Sequence, residues 1–210
     1  WNPARDPHCA SPFDVDAREG KAHCKLALQQ EFALDSDARA PLFAVVSRLS
    51  HQKGLDLVLG ALPTLLAGGA QFVMLGAGDP HLEHAFSTAA REHPGRIGVQ
   101  VGYDESLAHR IIAGADALLV PSRFEPCGLG QMIAMRYGTV PIVRSTGGLA
   151  NTVFDGENGF VFYEKTPAAF MEAVRRAAEA YRGDGWPAIQ RMGMTGDFSW
   201  EVSAKKYVDM

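Results

Sequence analysis

The sequence predicts an α/β fold: a Rossmann-like, doubly wound parallel sheet with extra helices at its carboxyl end. Two observations carry this. Six short apolar runs recur along the 210 residues, and segments with apolar residues three and four apart stand between them. The runs are continuously apolar rather than alternating, which suits strands covered on both faces. Strand–helix alternation then implies right-handed crossovers.

The predicted strands are "LFAVVS" (42–47), "QFVMLG" (71–76), "IGVQV" (97–101), "ALLVP" (117–121), "VPIVR" (140–144) and "GFVF" (159–162). Helices are expected over 54–67, 80–92, 105–114 and 129–137, with a helical tail over 167–182, 188–194 (past "GDGWP") and 200–208. There is no internal repeat and no low-complexity tract.

Composition narrows the function classes. Hydrophobic residues at 47% and charged residues at 21% are ordinary for a globular domain. A net charge of -4 argues against nucleic acid or an anionic membrane as the main partner. No apolar run reaches the roughly 18 residues of a membrane helix, and no signal peptide opens the chain. Cys9, Cys24 and Cys127 are odd in number and lack C-x-x-C spacing, which reads as reduced thiols in a cytoplasmic protein. The chain opens on Trp1 rather than Met, so the expectation is that it belongs to something longer.

In a doubly wound sheet ligands sit beyond the carboxyl ends of the strands. The first strand is followed by "SRLSHQKG", which sets Arg48 and Lys53 on a loop entering a helix. They are either a pair of cations for a diphosphate or two solvated surface charges. "GAGD" (76–79) lacks the third glycine of a dinucleotide fingerprint and reads as a tight turn. Tyr103, after the third strand, either packs or lies against a nucleobase.

The fourth strand leads into "SRFEPCGLGQ" (122–131). Pro126 suits a first helical turn, so a helix is expected to begin near 127–129. The amides of Gly128, Leu129 and Gly130 would then form a cradle for phosphate. Glu125 stands just before them, and a buried carboxylate needs a partner. Either a ligand's hydroxyls supply it, or Glu125 merely caps the helix. Hydroxyls at one end and a diphosphate at the other describe a nucleotide sugar. Cys127 reads as a thiol lining the pocket, and no G-x-S-x-G elbow offers a serine nucleophile. "RSTGGL" (144–149) places Thr146 and Gly147 at the opening of another helix, a second wall for the same crevice. His81 and His84 lack a third ligand, so no metal is expected. Glu157 and Asn158 read as turn residues.

"PLFAVVSRLSHQKGLDLV", "LGAGDP", "VPSRFEPCGLGQ", "RSTGGL" and "DFSW" together resemble the carboxyl-terminal half of the bacterial glycogen synthase family, retaining glycosyltransferases of GT-B fold. The resemblance covers essentially the whole chain. It implies a donor-binding half that moves glucose from ADP-glucose to the non-reducing end of an α-1,4-glucan, with no cofactor and no metal. It also implies three units: a crossover and leading helix over 1–40, a nucleotide-sugar-binding Rossmann-like domain over 41–165, and helices over 166–210 that pack on that domain and towards a missing amino-terminal domain. That absent domain would bring most acceptor contacts, and the isolated chain is expected to be inactive without it. Arg48 and Lys53 would carry the diphosphate, Glu125 the glucose hydroxyls, Cys127 to Gly130 the glucose and distal phosphate, and Tyr103 the adenine. Gly130 departs from the Thr of many relatives but keeps its backbone amide. Ile133 stands where many related transferases have a second Glu, as it does in glycogen synthases generally. A UDP- or GDP-sugar transferase and a non-catalytic nucleotide-binding module are the other readings.

Overall fold

The computed structural model describes residues 1–208, with the backbone alone for 203, 206 and 207. Its strands are β1 (Leu42–Val46), β2 (Gln71–Gly76), β3 (Ile97–Val101), β4 (Ala117–Val120), β5 (Val140–Arg144) and β6 (Phe160–Phe162). The helices are α1 (Glu19–Glu31), α2 (Leu55–Ala67), α3 (Pro80–Glu92), α4 (Glu105–Gly114), α5 (Gly130–Arg136), α6 (Gly147–Thr152), α7 (Pro167–Arg182), α8 (Trp186–Thr195) and α9 (Trp200–Val208). The strands form one sheet in the order β3-β2-β1-β4-β5-β6, and every neighbouring pair is parallel. The predicted α/β class and its continuous apolar strands are thus realised, and the strand order reverses between β1 and β4.

Alternate residues of each strand serve opposite faces. Phe43, Val45, Phe72, Met74, Leu119 and Ile142 meet residues of α2, α3 and α7 in one cluster. Leu42, Ala44, Val73, Leu75 and Leu118 meet α1, α4 and α5 in another. Each large apolar side chain buried this way contributes about 1.5–3 kcal/mol, so the two layers hold the sheet from both sides.

Helix α1 also buries polar residues: Lys21, Lys25 and Gln29 recur every four positions beside Gly20, Cys24 and Leu28. Lys25 Nζ donates to Asp116 Oδ2 at 2.7 Å and to Ala40 O at 2.6 Å. Lys21 Nζ donates to Thr139 Oγ1 at 2.8 Å and to Ala113 O at 3.0 Å. Burial pushes the Lys21 amine down to about 8, with Asp116 opposing the shift. These bonds stitch α1 to the amino-terminal ends of β4 and β5, the edge of the sheet away from the strand ends that carry the motifs.

Two helix starts differ from the sequence expectation. α5 begins at Gly130, not near 127–129. Gly128 adopts φ 74°, and the carbonyls of Glu125 and Pro126 both accept from Gly148 N, at 3.1 and 3.2 Å, which holds the segment before α5 as a loop. α8 begins two residues early, at Trp186, because Pro187 occupies a first-turn position where its missing amide leaves nothing unsatisfied. Residues 209 and 210 of the expected terminal unit lie outside the described residues.

Candidate functional site

A cleft of about 200 Å3 opens at the carboxyl ends of β1 and β4, where the strand order reverses. Arg48, Lys53, Ser122, Glu125, Gly128, Leu129, Gly130 and Gln131 line it. The loop after β1 and the loop after β4 are tied face to face. Arg123 grips both carboxylate oxygens of Asp56 at 2.7 Å and also donates to His51 O at 2.9 Å. That bidentate bond holds the Asp56 carboxyl below its usual range. Gln52 Nε2 donates to Phe124 O at 2.9 Å, and Arg123 N to Gln52 O at 2.8 Å.

The two loops could not approach without Gly54. It takes φ 69°, and a Cβ there would sit 2.2 Å from Pro121 O. With the loops so placed, Lys53 Nζ meets Glu125 Oε2 at 2.5 Å and Ser122 Oγ donates to the same oxygen at 2.9 Å. Glu125 is 8% exposed, so a lone carboxylate here would be costly and these two partners offset its desolvation. The partner that the sequence left open is therefore within the chain. Arg48 is exposed, and among the described residues its guanidinium has no hydrogen-bond partner. The amides of Gly128, Leu129 and Gly130 likewise find no acceptor among the described residues.

The loop is braced from behind. A Cβ on Gly147 would lie 1.9 Å from Glu125 O, and one on Gly148 1.9 Å from Cys127 O. Arg144, at the end of β5, donates from Nε to Ser122 O at 2.9 Å and from Nη2 to Arg123 O. Gln131 is fully buried; its Nε2 donates to Gly128 O at 2.9 Å and to Thr152 Oγ1 at 3.1 Å. Neither Arg144 nor Gln131 stood out in the sequence. The available signal was a polar residue beside an apolar run or directly after a glycine loop.

Of the residues singled out by sequence, the structure gathers Arg48, Lys53, Glu125, Gly128, Leu129 and Gly130 around one cleft. It does not bring the other four to the lining. Thr146 and Gly147 stand behind the loop. The Cys127 side chain is exposed beside it, with Sγ 3.8 Å from Gly128 O. Tyr103 is 89% exposed after β3, two strands from β1, roughly 10 Å away by sheet spacing. The glycines of "GAGD" serve a backbone crossing: a Cβ on Gly76 would meet Ser47 O at 2.0 Å. Asn158 is a turn residue, its Oδ1 accepting from Phe154 N at 2.7 Å.

A parallel sheet with cations and open amides where its order reverses is a Rossmann-like ligand-binding domain. The chain belongs to the glycosyl transferases group 1 family, whose model matches residues 28–183. It is similar to a glycogen synthase of Anaeromyxobacter dehalogenans strain 2CP-C, at 55% identity over 213 residues. A glycogen synthase of strain 2CP-1 is 53% identical over 213 residues. Each alignment covers 99% of this chain and 45% of the relative. Among solved structures, the catalytic domain of starch synthase IV from Arabidopsis thaliana, bound to ADP and acarbose, superposes with a TM-score of 0.94 at 39% identity. That match covers 100% of this chain and 45% of the other. A sucrose-phosphate synthase from Thermosynechococcus elongatus, at 23% identity and TM-score 0.66, shares the fold. The resemblance to glycogen synthases read from the motifs therefore holds, and the chain spans about half the length of the relatives it matches.

Proposed function

We propose that this chain is the donor-binding half of a retaining glucosyltransferase that moves glucose from ADP-glucose to the non-reducing end of an α-1,4-glucan. The observation that carries the reading is the meeting of Arg48, Lys53 and the Gly128–Gly130 amides with Glu125 in one cleft at the switch point. The cations and amides take the diphosphate; Glu125 takes hydroxyls of the sugar. An ammonium has three donors, and Lys53 spends one on Glu125. It can therefore bridge carboxylate and phosphate, cancelling the repulsion that two anions side by side would suffer.

Chemically, the bond between the glucose anomeric carbon and the phosphate oxygen breaks while the acceptor hydroxyl oxygen bonds the same carbon on the same face. The electron pair leaves with ADP, where Arg48 and Lys53 stabilise the growing charge. The acceptor's proton passes to the departing phosphate oxygen. No metal or cofactor enters this scheme. The cleft's 200 Å3 falls short of the roughly 300–1,000 Å3 of complete ligand sites, which supports a half-site completed by another domain that carries the acceptor. Tyr103, Cys127, Thr146 and Gly147 remain in the proposal at its edge: Tyr103 towards the base, the others holding the loop.

Calorimetric titration with ADP-glucose, UDP-glucose and ADP tests the reading. ADP and ADP-glucose binding, with UDP-glucose much weaker, supports it. Preference for UDP-glucose would move the chain to a sucrose- or trehalose-type transferase, and no binding of any of the three would leave the module without a donor.

A further inference from the structure

We propose that Gln131 is a positioning residue for phosphate: its amide turns the Gly128–Leu129 peptide so that the Leu129 N–H faces the cleft. This role rests on the nucleotide-sugar reading above and supplies what aims the anion cradle of that site. Gln131 is the second residue of α5 and is fully buried. Its Nε2 donates to Gly128 O at 2.9 Å and to Thr152 Oγ1 at 3.1 Å. Its Oε1 is buried and has no donor among the described residues. A buried acceptor without a donor costs stability, and an apolar side chain of the same length would avoid that cost. What the amide supplies in return is its Nε2 donor.

That donor fixes a direction. A trans peptide is planar, with its carbonyl and its N–H pointing opposite ways. Gly128 O and Leu129 N belong to one peptide, so a carbonyl drawn onto Gln131 turns the Leu129 N–H away from it. Leu129 is exposed and lines the cleft, and its amide has no acceptor among the described residues. Only glycine admits the arrangement: Gly128 takes φ 74°, and a Cβ there would lie 2.6 Å from Gln131 Oε1. Glycine backbone rotates freely, so without the side-chain donor the Leu129 N–H would have no fixed aim.

The same chain of hydrogen bonds reaches Glu125. Thr152 Oγ1, which accepts from Gln131, donates in turn to Gly148 O at 2.9 Å. Gly148 N donates to Glu125 O at 3.1 Å and to Pro126 O at 3.2 Å. The backbone that carries the carboxylate and the amide that meets phosphate are therefore held in one frame. Glu125 takes the sugar, so the phosphate beside it on the Leu129 N–H is the one joined to the sugar, distal from the base. A donor fixed in advance meets the charge that grows there without reorganising.

The test is calorimetric titration of ADP and of AMP into the unsubstituted chain, Gln131→Met and Thr152→Val. Amide spectra of the same proteins carrying isotope-labelled leucine are recorded alongside. In the unsubstituted chain ADP should shift the Leu129 amide resonance, and AMP, which lacks the distal phosphate, should not. Gln131→Met should lose roughly ten-fold in ADP affinity while AMP affinity stays within about two-fold. Its Leu129 resonance should no longer answer to ADP. Thr152→Val should show the same pattern more weakly, and it carries the test if Gln131→Met does not fold. An unchanged ratio of ADP to AMP affinity in the variants, an equal loss for both nucleotides, or a Leu129 resonance that ignores bound ADP would overturn this role. If the unsubstituted chain binds no ADP, the nucleotide-sugar reading itself fails and this role with it.

Discussion

Lys53 Nζ lies 2.5 Å from Glu125 Oε2 although the two residues stand 72 positions apart in the chain. The pair sits at the seam between β1 and β4, and Ser122 completes the carboxylate's hydrogen bonding. In the proposed site this ion pair sets how an anion is received, because the carboxylate's charge is answered before a phosphate arrives.

Replacing Lys53 by Ala removes one charged donor and exposes the diphosphate to an unanswered Glu125. ADP affinity should fall by roughly 1.5–3 kcal/mol, the range for hydrogen bonds to charged groups. Calorimetry against the unsubstituted chain reads this directly, and an unchanged affinity would remove Lys53 from the site.

Glu125→Gln acts in two opposite ways. It frees the Lys53 ammonium, so ADP should bind more tightly by about 1 kcal/mol, the order of a partly exposed ion pair. It also weakens acceptance of sugar hydroxyls, so the extra affinity of ADP-glucose over ADP should shrink. If both ligands change by the same factor, Glu125 is not on the sugar.

Gly147→Ala tests the loop from behind. The added Cβ would lie 1.9 Å from Glu125 O at a backbone φ of 48°, and such strain costs on the order of 1–3 kcal/mol. Nucleotide binding should be lost while the circular dichroism of the sheet and helices is retained, since the clash falls on one loop. Retained binding would separate this loop from the ligand.

The attachment of the leading segment should depend on acid. Burial raises the Asp6 carboxyl, but hydrogen bonds from Tyr137, His109 and the His8 amide outweigh it and hold the group at about 2, against an ordinary 3.8. A depressed carboxylate contributes stability above its unfolded value and loses it as pH falls through the folded one. The segment should therefore loosen between about pH 4 and pH 2, visible as a change in tryptophan fluorescence as Trp1 leaves His109. In Asp6→Asn that acid step should disappear, and the thermal midpoint at pH 7 should drop by a few degrees, as loss of a buried acceptor of about 1–3 kcal/mol implies.

Much of this was legible in the sequence, for a physical reason. Strands covered on both faces must be continuously apolar, so "LFAVV" and "QFVML" announced themselves, and residues just past them had to lie at the strand ends. That logic reached Arg48, Lys53, Glu125 and the Gly128–Gly130 loop. It could not reach what depends on tertiary approach. The Lys53–Glu125 pair joins two loops that only the β1–β4 pairing brings together. Pro126 looked like a helix opener because a local rule cannot know that Gly148 captures the carbonyls on either side of the Glu125–Pro126 bond. Lys21 and Lys25 gave no signal of their own, because their partners Thr139 and Asp116 stand about 90 to 120 positions away.

The chain alone should hold nucleotide and fail at transfer. Mixing purified chain with ADP-glucose and a glucan should give no elongation, because the proposed acceptor contacts belong to another domain. Measurable elongation would contradict the half-site reading while leaving the donor site intact.

The most direct test of the central claim is calorimetric titration of ADP-glucose into the unsubstituted chain and into Lys53→Ala, with UDP-glucose as the comparison. The account predicts saturable binding of ADP-glucose, weaker binding of UDP-glucose, and a loss of roughly ten-fold or more in the variant. Equal affinity of both proteins for ADP-glucose, or no binding by either, would contradict it.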